Sequence, residues 1–580
     1  MKICDLPNER SFSCEFFPPR TDAGVKNLIG RAQRLVALGA KFVSVTWGAG
    51  GTSADRSLEL VTKLAAALGP TVPIVLHLTC TNMSTQLLDR TLAYIAHPDS
   101  GVDNILALRG DRPRNDYFTS SDFEWAEDLV KYIRQKYGNR FCIGVAAYPE
   151  GFADSPTLIP DVNHDLDFLA DKIEAGAQFV MTQLFYDAAK YAAYVDKVRR
   201  HPRLGPKIAD ERLFPGLMPL ISYRTFVRSA ELSHASIPIQ VLHGLKKLDT
   251  QDDEVVKKYG VQVLSKLVDE LMDKYGVKRV HFFTLNLEKS LTEILVQTGL
   301  AEPKAAQRLL ETAAPAGAGT PGSAPRSPEA NSSGWDEFVN GRYTDPASAA
   351  FGEIDGYGPI VHGSMGNKPN PAWGELESDS DISRMFVRHI TNELPLFPFG
   401  DEALSAETAL IQEQLIDLNL SGVWTLASQP AAHAQKSTDR ILGWGPPNGV
   451  VYQQAYVEFL LSAEAWPQMK AKLDTIDNMA YYAASERGGV DTNCDKTARN
   501  VVTWGVWDGN RMDTTIVAYE SFLAWRDETF GVIRGWQQLY VPEDPTYTLL
   551  GNVADGRVLV TVIYQNTQDD QKLWDTLLDI

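Results

Sequence analysis

One phrase repeats through the first 300 residues: a short apolar run followed by a helical pattern, about eight times over. The runs are Phe12–Phe16, Phe42–Thr46, Ile74–Leu78, Ile105–Leu108, Phe141–Ala146, Phe179–Gln183, Phe214–Met218 and Val280–Phe283. Strands that alternate with helices predict a parallel sheet. Eight such units predict a (β/α)8 TIM-type barrel, an α/β fold whose active site forms where the strands end. At or near those ends stand Glu15, Thr46, His77, Arg109 with Gly110 and Asp111, Tyr148 and Gln183. A mouth lined by such groups has the inventory of an enzyme.

A chain of 580 residues is long for one domain. Residues 313–334 are dominated by Pro, Gly, Ala and Ser, with no large apolar residue, which predicts a flexible linker. The expected organisation is a barrel over 1–310, a linker over 311–334 and an α+β domain over 335–580. Gly317, Gly319 and Gly322 fit the dinucleotide pattern G-x-G-x-x-G, but no strand precedes them and Pro321 interrupts them, so the match is compositional. The second domain is rich in tryptophan. It shows one amphipathic helix at Ala406–Leu420 and strand-like runs at Gly422–Leu426, Val450–Val457, Val501–Val506 and Val558–Tyr564. No nucleophile–base or metal-ligand spacing stands out there, so a binding or regulatory role is the simpler expectation.

Net charge of −19 argues against nucleic acid or an anionic membrane as partner. The five cysteines include no CxxC pair, suggesting neither a zinc site nor a disulfide framework and fitting a reducing compartment. The N-terminus lacks the apolar core of a signal peptide, and no apolar run reaches membrane-spanning length. A cytoplasmic protein is expected.

Each candidate residue has a plainer alternative. Glu15 sits inside an aromatic strand, where desolvation would raise its pKa and equip it to donate a proton near neutral pH; the alternative is an ion pair with an arginine. His77 is either a hydrogen-bonded core histidine or a site group at a strand end. Arg109-Gly110-Asp111 can hold a phosphate or the polar edge of a ring, or form a strand-exit salt bridge. Backbone N–H groups in the glycine-rich stretch Trp47–Ser53 can approach a phosphate, although a plain turn reads the same way. The Gln183 amide both donates and accepts, which suits a flat heterocycle, unless it meets only water.

Further motifs make the pattern specific. In order and spacing, SCEFFPP, VSVTWGAGGT, HLTCTNM, LALRGDRP, AAYPEG, MTQLFYD and HFFTLN resemble methylenetetrahydrofolate reductase. WDEFVNGR, SAETALI, SQPA, GWGPPNGVVYQ and VVTWG extend the resemblance to the eukaryotic form, with fungal-like wording in the barrel. The resemblance implies a flavin-binding barrel followed by a regulatory domain that binds S-adenosylmethionine, and a homodimer or a heteromer with a paralogue. It implies FAD as cofactor, NADPH or NADH as hydride donor, and methylenetetrahydrofolate reduced to 5-methyltetrahydrofolate in a ping-pong sequence. It assigns Glu15 to the acid that protonates folate N10 and Asp111 to the place beside the flavin and pterin rings. Thr46, Trp47, His77, Arg109, Gly110, Trp125, Ala126, Tyr148, Asp165 and Lys172 fall on FAD-contacting positions. Gln183 and Phe283 fall on folate-contacting positions. Glu407, Thr408, Thr425, Ser428 and Thr503 fall on positions contacting S-adenosylmethionine.

The chain departs from the family pattern in a few places. Leu287 stands where an arginine is usual, a loss expected to weaken folate binding. Phe152 replaces a histidine in the FAD loop, and Trp125 a tyrosine. Thr515-Ile516 stands where Pro-Thr is usual, so one hydroxyl is lost or shifted by a position, and Gly400 replaces an asparagine; both predict weaker S-adenosylmethionine binding. Two readings follow: an active reductase, or a low-activity paralogue that regulates or assembles with another reductase chain.

Overall fold

A computed structural model describes residues 1–47, 54–81, 83–110, 122–152, 161–220, 226–227, 229–230, 233–248, 253–306, 349, 354–355, 358–359, 369–394, 396–400, 404–445, 448–507 and 510–579. Gly48–Ser53, Asp111, the dinucleotide-like glycines and the expected linker lie outside them. The chain forms two compact units.

The first unit holds a closed eight-stranded parallel barrel. Its strands are β1 (Ser11–Phe16), β2 (Val43–Val45), β3 (Ile74–Thr79), β4 (Val102–Leu108), β5 (Cys142–Ala147), β6 (Phe179–Leu184), β7 (Leu213–Leu217) and β8 (Arg279–Phe283). Each apolar run read from the sequence is one of them. β1 closes the barrel by pairing with both β2 and β8. Alternation along each strand sends one set of side chains outward against the helices and the other inward. Cys14, Leu76, Ile105 and Phe282 join the outer core. Phe42, Val75, Leu106, Phe179, Met181 and Phe214 fill the interior, with Ile3 of the N-terminal segment among them. That interior is a packed plug, so a ligand can enter only above it.

Several helices start with a side-chain cap, which fixes where strand gives way to helix. Thr21 accepts the Gly24 N–H, Ser84 the Leu87 N–H, and Asp161 and Asp187 those of Asn163 and Ala189. After β8, Leu285 and Asn286 adopt positive φ of 51° and 60°. Asn286 holds that turn: its amide group accepts from the Phe17 N–H and donates to the carbonyls of Phe17 and Ala349. Ala349 is fully buried in the barrel core. The segment Ala347–Pro359, with the short pair β9 (Ile354–Asp355) and β10 (Gly358–Pro359), therefore belongs to the first unit, although the sequence reading began the second domain at 335.

A second difference concerns the cysteines. Cys4 and Cys142 form a disulfide across 138 residues, where the sequence suggested no disulfide framework. The two halves lie far apart in sequence, and only barrel closure brings the N-terminal segment against the start of β5.

The second unit is α+β with two antiparallel sheets. Its strands are β11 (Trp424–Gln429), β12 (Ala432–Lys436), β13 (Val450–Gln453), β14 (Ala455–Ser462), β15 (Met479–Ala484), β16 (Asp491–Thr492), β17 (Arg499–Trp507), β18 (Asn510–Ala518) and β19 (Arg557–Tyr564). One sheet runs β11-β14-β19-β15-β16, the other β12-β13-β17-β18. The expected strand Val450–Val457 is two strands that enter different sheets, broken at Gln454. The expected helix Ala406–Leu420 is α-helical only over Gln412–Leu420, after a 3-10 turn at Thr408–Ile411. Among the described residues no helix is long and apolar enough to cross a membrane.

Candidate active site and regulatory site

Above the apolar plug, the C-terminal ends of the barrel strands open into a cavity of about 980 Å³. Glu15, Thr46, Trp47, His77, Arg109, Gly110, Trp125, Ala126, Tyr148, Asp165, Lys172, Gln183 and Phe283 all line it. Eight strands converge on one mouth, which is why residues spread over 270 positions meet there. Asp111 lies outside the described residues.

Glu15 marks the floor. Its carboxylate oxygen lies 3.7 Å from His77 Nε2 and 3.5 Å from His281 Nε2. Burial raises its pKa, partly offset by His77, and burial pushes the His77 imidazole down. No arginine or lysine pairs with Glu15 among the described residues, so the ion-pair alternative has no partner there. The carboxyl keeps 18% exposure, toward the cavity.

One wall carries positive charge. The Arg109 guanidinium lies 5.4 Å from the Trp125 ring centre and 5.1 Å from that of Phe152. Trp125 in turn stacks on Phe168. Phe152, the residue standing in for a histidine, thus faces a cation with its ring, while its backbone N–H donates to Asp165 at 2.6 Å. Gly110 has φ of +81°, and a Cβ there would come within 2.8 Å of Thr79, so the turn beside Arg109 needs glycine. Lys172 is half-buried, donates to the Ala146 carbonyl at 2.6 Å, and has its pKa lowered by desolvation to about 8.

Three buried polar atoms lining this cavity, Trp47 Nε1, His77 Nε2 and Thr79 Oγ1, have no hydrogen-bond partner among the described residues. Buried polar groups are normally paired, so these fit a ligand with polar edges. The Gln183 side-chain oxygen accepts the Leu184 N–H, leaving the amide NH2 for a ligand. The set also fits FAD: a cavity of about 980 Å³, a cationic wall suited to a diphosphate, and donors without partners among the described residues suited to a ring edge.

Leu287 does not line this cavity. It is 5% exposed and faces a small separate hollow with Leu285 and Leu291. Sequence reasoning missed Thr182, Met181 and Phe168, which do line the site, and His281 beneath it. The signal for His281 was its period-2 relation to Phe283.

In the second unit, Gln453 donates to the Glu407 carboxylate at 2.7 Å and to the Pro430 carbonyl, and the Thr503 hydroxyl donates to the neighbouring Gln429. Thr408 reaches the Ser428 carbonyl at 3.5 Å. These contacts draw Glu407, Thr408, Ser428 and Thr503 toward one corner of the two sheets. Thr425 is held aside by Asn419. Thr515 pairs across from Thr503, and its hydroxyl is fully buried without a hydrogen-bond partner among the described residues. Gly400 forms a bridge with Phe397 and takes no part in this network.

A parallel eight-stranded barrel whose strand ends line a cavity, followed by a separate two-sheet α+β unit, defines a two-unit α/β-barrel protein. The profile of methylenetetrahydrofolate reductase matches residues 2–299, and that of the MTHFR SAM-binding regulatory domain matches 319–580. The chain belongs to the methylenetetrahydrofolate reductase family. It is 36% identical to methylenetetrahydrofolate reductase 2 of Schizosaccharomyces pombe, covering 100% of this chain and 99% of that protein. It is 33% identical to methylenetetrahydrofolate reductase (NADH) 1 of Zea mays, covering 95% of each. It is 32% identical to a probable methylenetetrahydrofolate reductase (NADPH) of Caenorhabditis elegans, covering 98% of this chain and 88% of that protein. Family membership supports the reduction of methylenetetrahydrofolate to methyltetrahydrofolate by a flavin-dependent reductase using NADH or NADPH.

Proposed function

We propose that this chain is an active reductase in which Glu15 is the general acid, Asp111 stands beside the reacting rings, and FAD occupies the barrel mouth. The observation that carries this reading is the Glu15 carboxyl: it sits on the cavity floor, unpaired by any described cation, with burial favouring its neutral form. Bound there, FAD would supply hydride-transfer chemistry between NADPH or NADH and the folate. Arg109 and Lys172 attract the diphosphate, while Thr46, Trp47, His77, Gly110, Trp125, Ala126, Tyr148 and Asp165 shape the space around the cofactor. Gln183 and Phe283 hold the folate, the amide against the heterocycle edge and the ring against its face. Glu15 gives its proton to folate N10, which opens the five-membered ring to an iminium at the carbon to be reduced. A single cavity for both substrates supports ping-pong order.

Glu15→Gln tests this directly. The amide keeps the volume and cannot give up a proton as an acid. Reoxidation of reduced enzyme by methylenetetrahydrofolate should fall by about 100-fold or more, the range of a general acid. Flavin reduction by NADPH or NADH should stay within a few-fold. Equal loss of both half-reactions would overturn the assignment. In the second unit, S-adenosylmethionine is the ligand we infer for the Glu407, Thr408, Ser428 and Thr503 corner; the unpartnered Thr515 hydroxyl supports that reading.

A further inference from the structure

We propose that Phe152 and Trp125 are positioning residues for the cofactor: their rings hold the Arg109 guanidinium in the orientation in which it meets the diphosphate of FAD. The inference rests on FAD occupying the barrel mouth with Arg109 toward its diphosphate. The two rings reach Arg109 from different elements. Trp125 is the N-cap of the helix Ala126–Tyr137, and Phe152 follows β5. The guanidinium carbon stands over both rings, 5.4 Å from the centre of Trp125 and 5.1 Å from that of Phe152. All three residues line the cavity.

A cation within about 6 Å of a ring centre is held by the quadrupole of the ring, most strongly by that of tryptophan. Such a contact engages the flat face of the guanidinium and uses none of its N–H groups. A carboxylate partner would take two of them, the same two-pronged edge that grips a phosphate. Ring contacts therefore fix Arg109 without competing with an anionic ligand. The backbone is fixed as well, because the Arg109 carbonyl accepts from the Thr81 N–H at 2.8 Å and the Cys80 N–H at 3.1 Å. Each clamping ring is supported by another. Phe152 meets Tyr148 at 4.8 Å, and Trp125 stacks on Phe168 at 5.8 Å and 18°. A cation held in place before its ligand arrives loses less freedom on binding. Both clamp positions are departures from the family pattern, which has tyrosine and histidine there, and both fall on one guanidinium. Phe152 gives up the hydrogen bond that a histidine can make, and unlike a histidine it cannot become a cation that repels Arg109.

The test titrates the full chain, stripped of flavin, with FAD and with riboflavin, which lacks the diphosphate, and follows flavin fluorescence. Phe152→Leu and Trp125→Leu should each weaken FAD about fivefold, the scale of a cation–ring contact. Riboflavin binding should change by less than about twofold, the usual spread for independent sites. Phe152→Tyr keeps a ring and should bind FAD within about twofold of the unsubstituted chain. Arg109→Met should weaken FAD more than either leucine variant, and in that background the leucine substitutions should cost little more. Both substitutions spare the local backbone contacts, the Phe152 N–H to Asp165 and the Trp125 N–H to Asp128. Should Phe152→Leu fail to fold, Trp125, 38% exposed, carries the same cycle by the same criteria. Equal weakening of FAD and riboflavin, a leucine effect that persists undiminished beside Arg109→Met, or a Phe152→Tyr chain as weak as Phe152→Leu overturns the proposal. Weak FAD binding in Arg109→Met with unchanged binding in the leucine variants would refute the ring clamp alone; unchanged FAD binding in Arg109→Met would refute the reading beneath it.

Discussion

Lys172 shows how placement turns an ordinary surface residue type into a site residue. Its ammonium is half-buried at the edge of the cavity, donating to a carbonyl, and its pKa falls from 10.5 to about 8. The cation exists below that value and is lost as pH rises through it. An anionic ligand held by it binds tightly below pH 8 and more weakly above, by up to about tenfold per pH unit for one linked proton. Fluorescence titration of flavin-stripped protein should show that slope, and Lys172→Met should bind weakly with no slope near pH 8. The sequence made the polar strand ends legible because period-2 alternation puts them inside the barrel. Leu287 was less legible. A residue just past a strand end can face either way, and the turn at Leu285 and Asn286 sends it into a hollow away from the cavity.

Among the elements, the barrel strands were readable because each is buried on both faces and therefore continuously apolar. The second unit was harder. Its β12 buries only Ala432 and exposes His433, Ala434 and Lys436, and the bulges between β17 and β18 break the alternation that a sequence reading depends on. Val450–Val457 looks like one strand because nothing local marks the change of sheet at Gln454. Close packing between barrel strands gives a prediction at this scale. A Cβ on Gly216 of β7 would lie 2.3 Å from the Thr182 carbonyl oxygen and 2.7 Å from the Phe283 ring. Gly216→Ala should therefore destabilise the barrel by about 1–3 kcal/mol, the usual cost of overpacking, and displace Phe283 toward the cavity. Denaturant unfolding followed by flavin release should report the lower midpoint; an unchanged midpoint would show that β7 yields without cost.

For the whole molecule, chemistry and regulation fall in separate compact units. The border between them is not the compositional linker alone. Ala349 is buried in the barrel core and bonded to Asn286, so Ala347–Pro359 belongs to the first unit although the second domain was expected to begin at 335. Composition predicted a linker at 311–334; only tertiary packing reveals the place of Ala349, which carries no local signal. The departures at Leu287 and Phe152 raised the non-catalytic paralogue as a rival to the active reductase. Leu287 lies outside the cavity, and Phe152 places its ring on Arg109. The most direct test is the visible spectrum of the full chain, purified and kept anaerobic. An active reductase is yellow, bleaches on addition of NADPH or NADH, and regains its colour when methylenetetrahydrofolate follows. A protein that holds no flavin and cannot be reconstituted with it, or one that bleaches and stays bleached with folate present, would contradict the account.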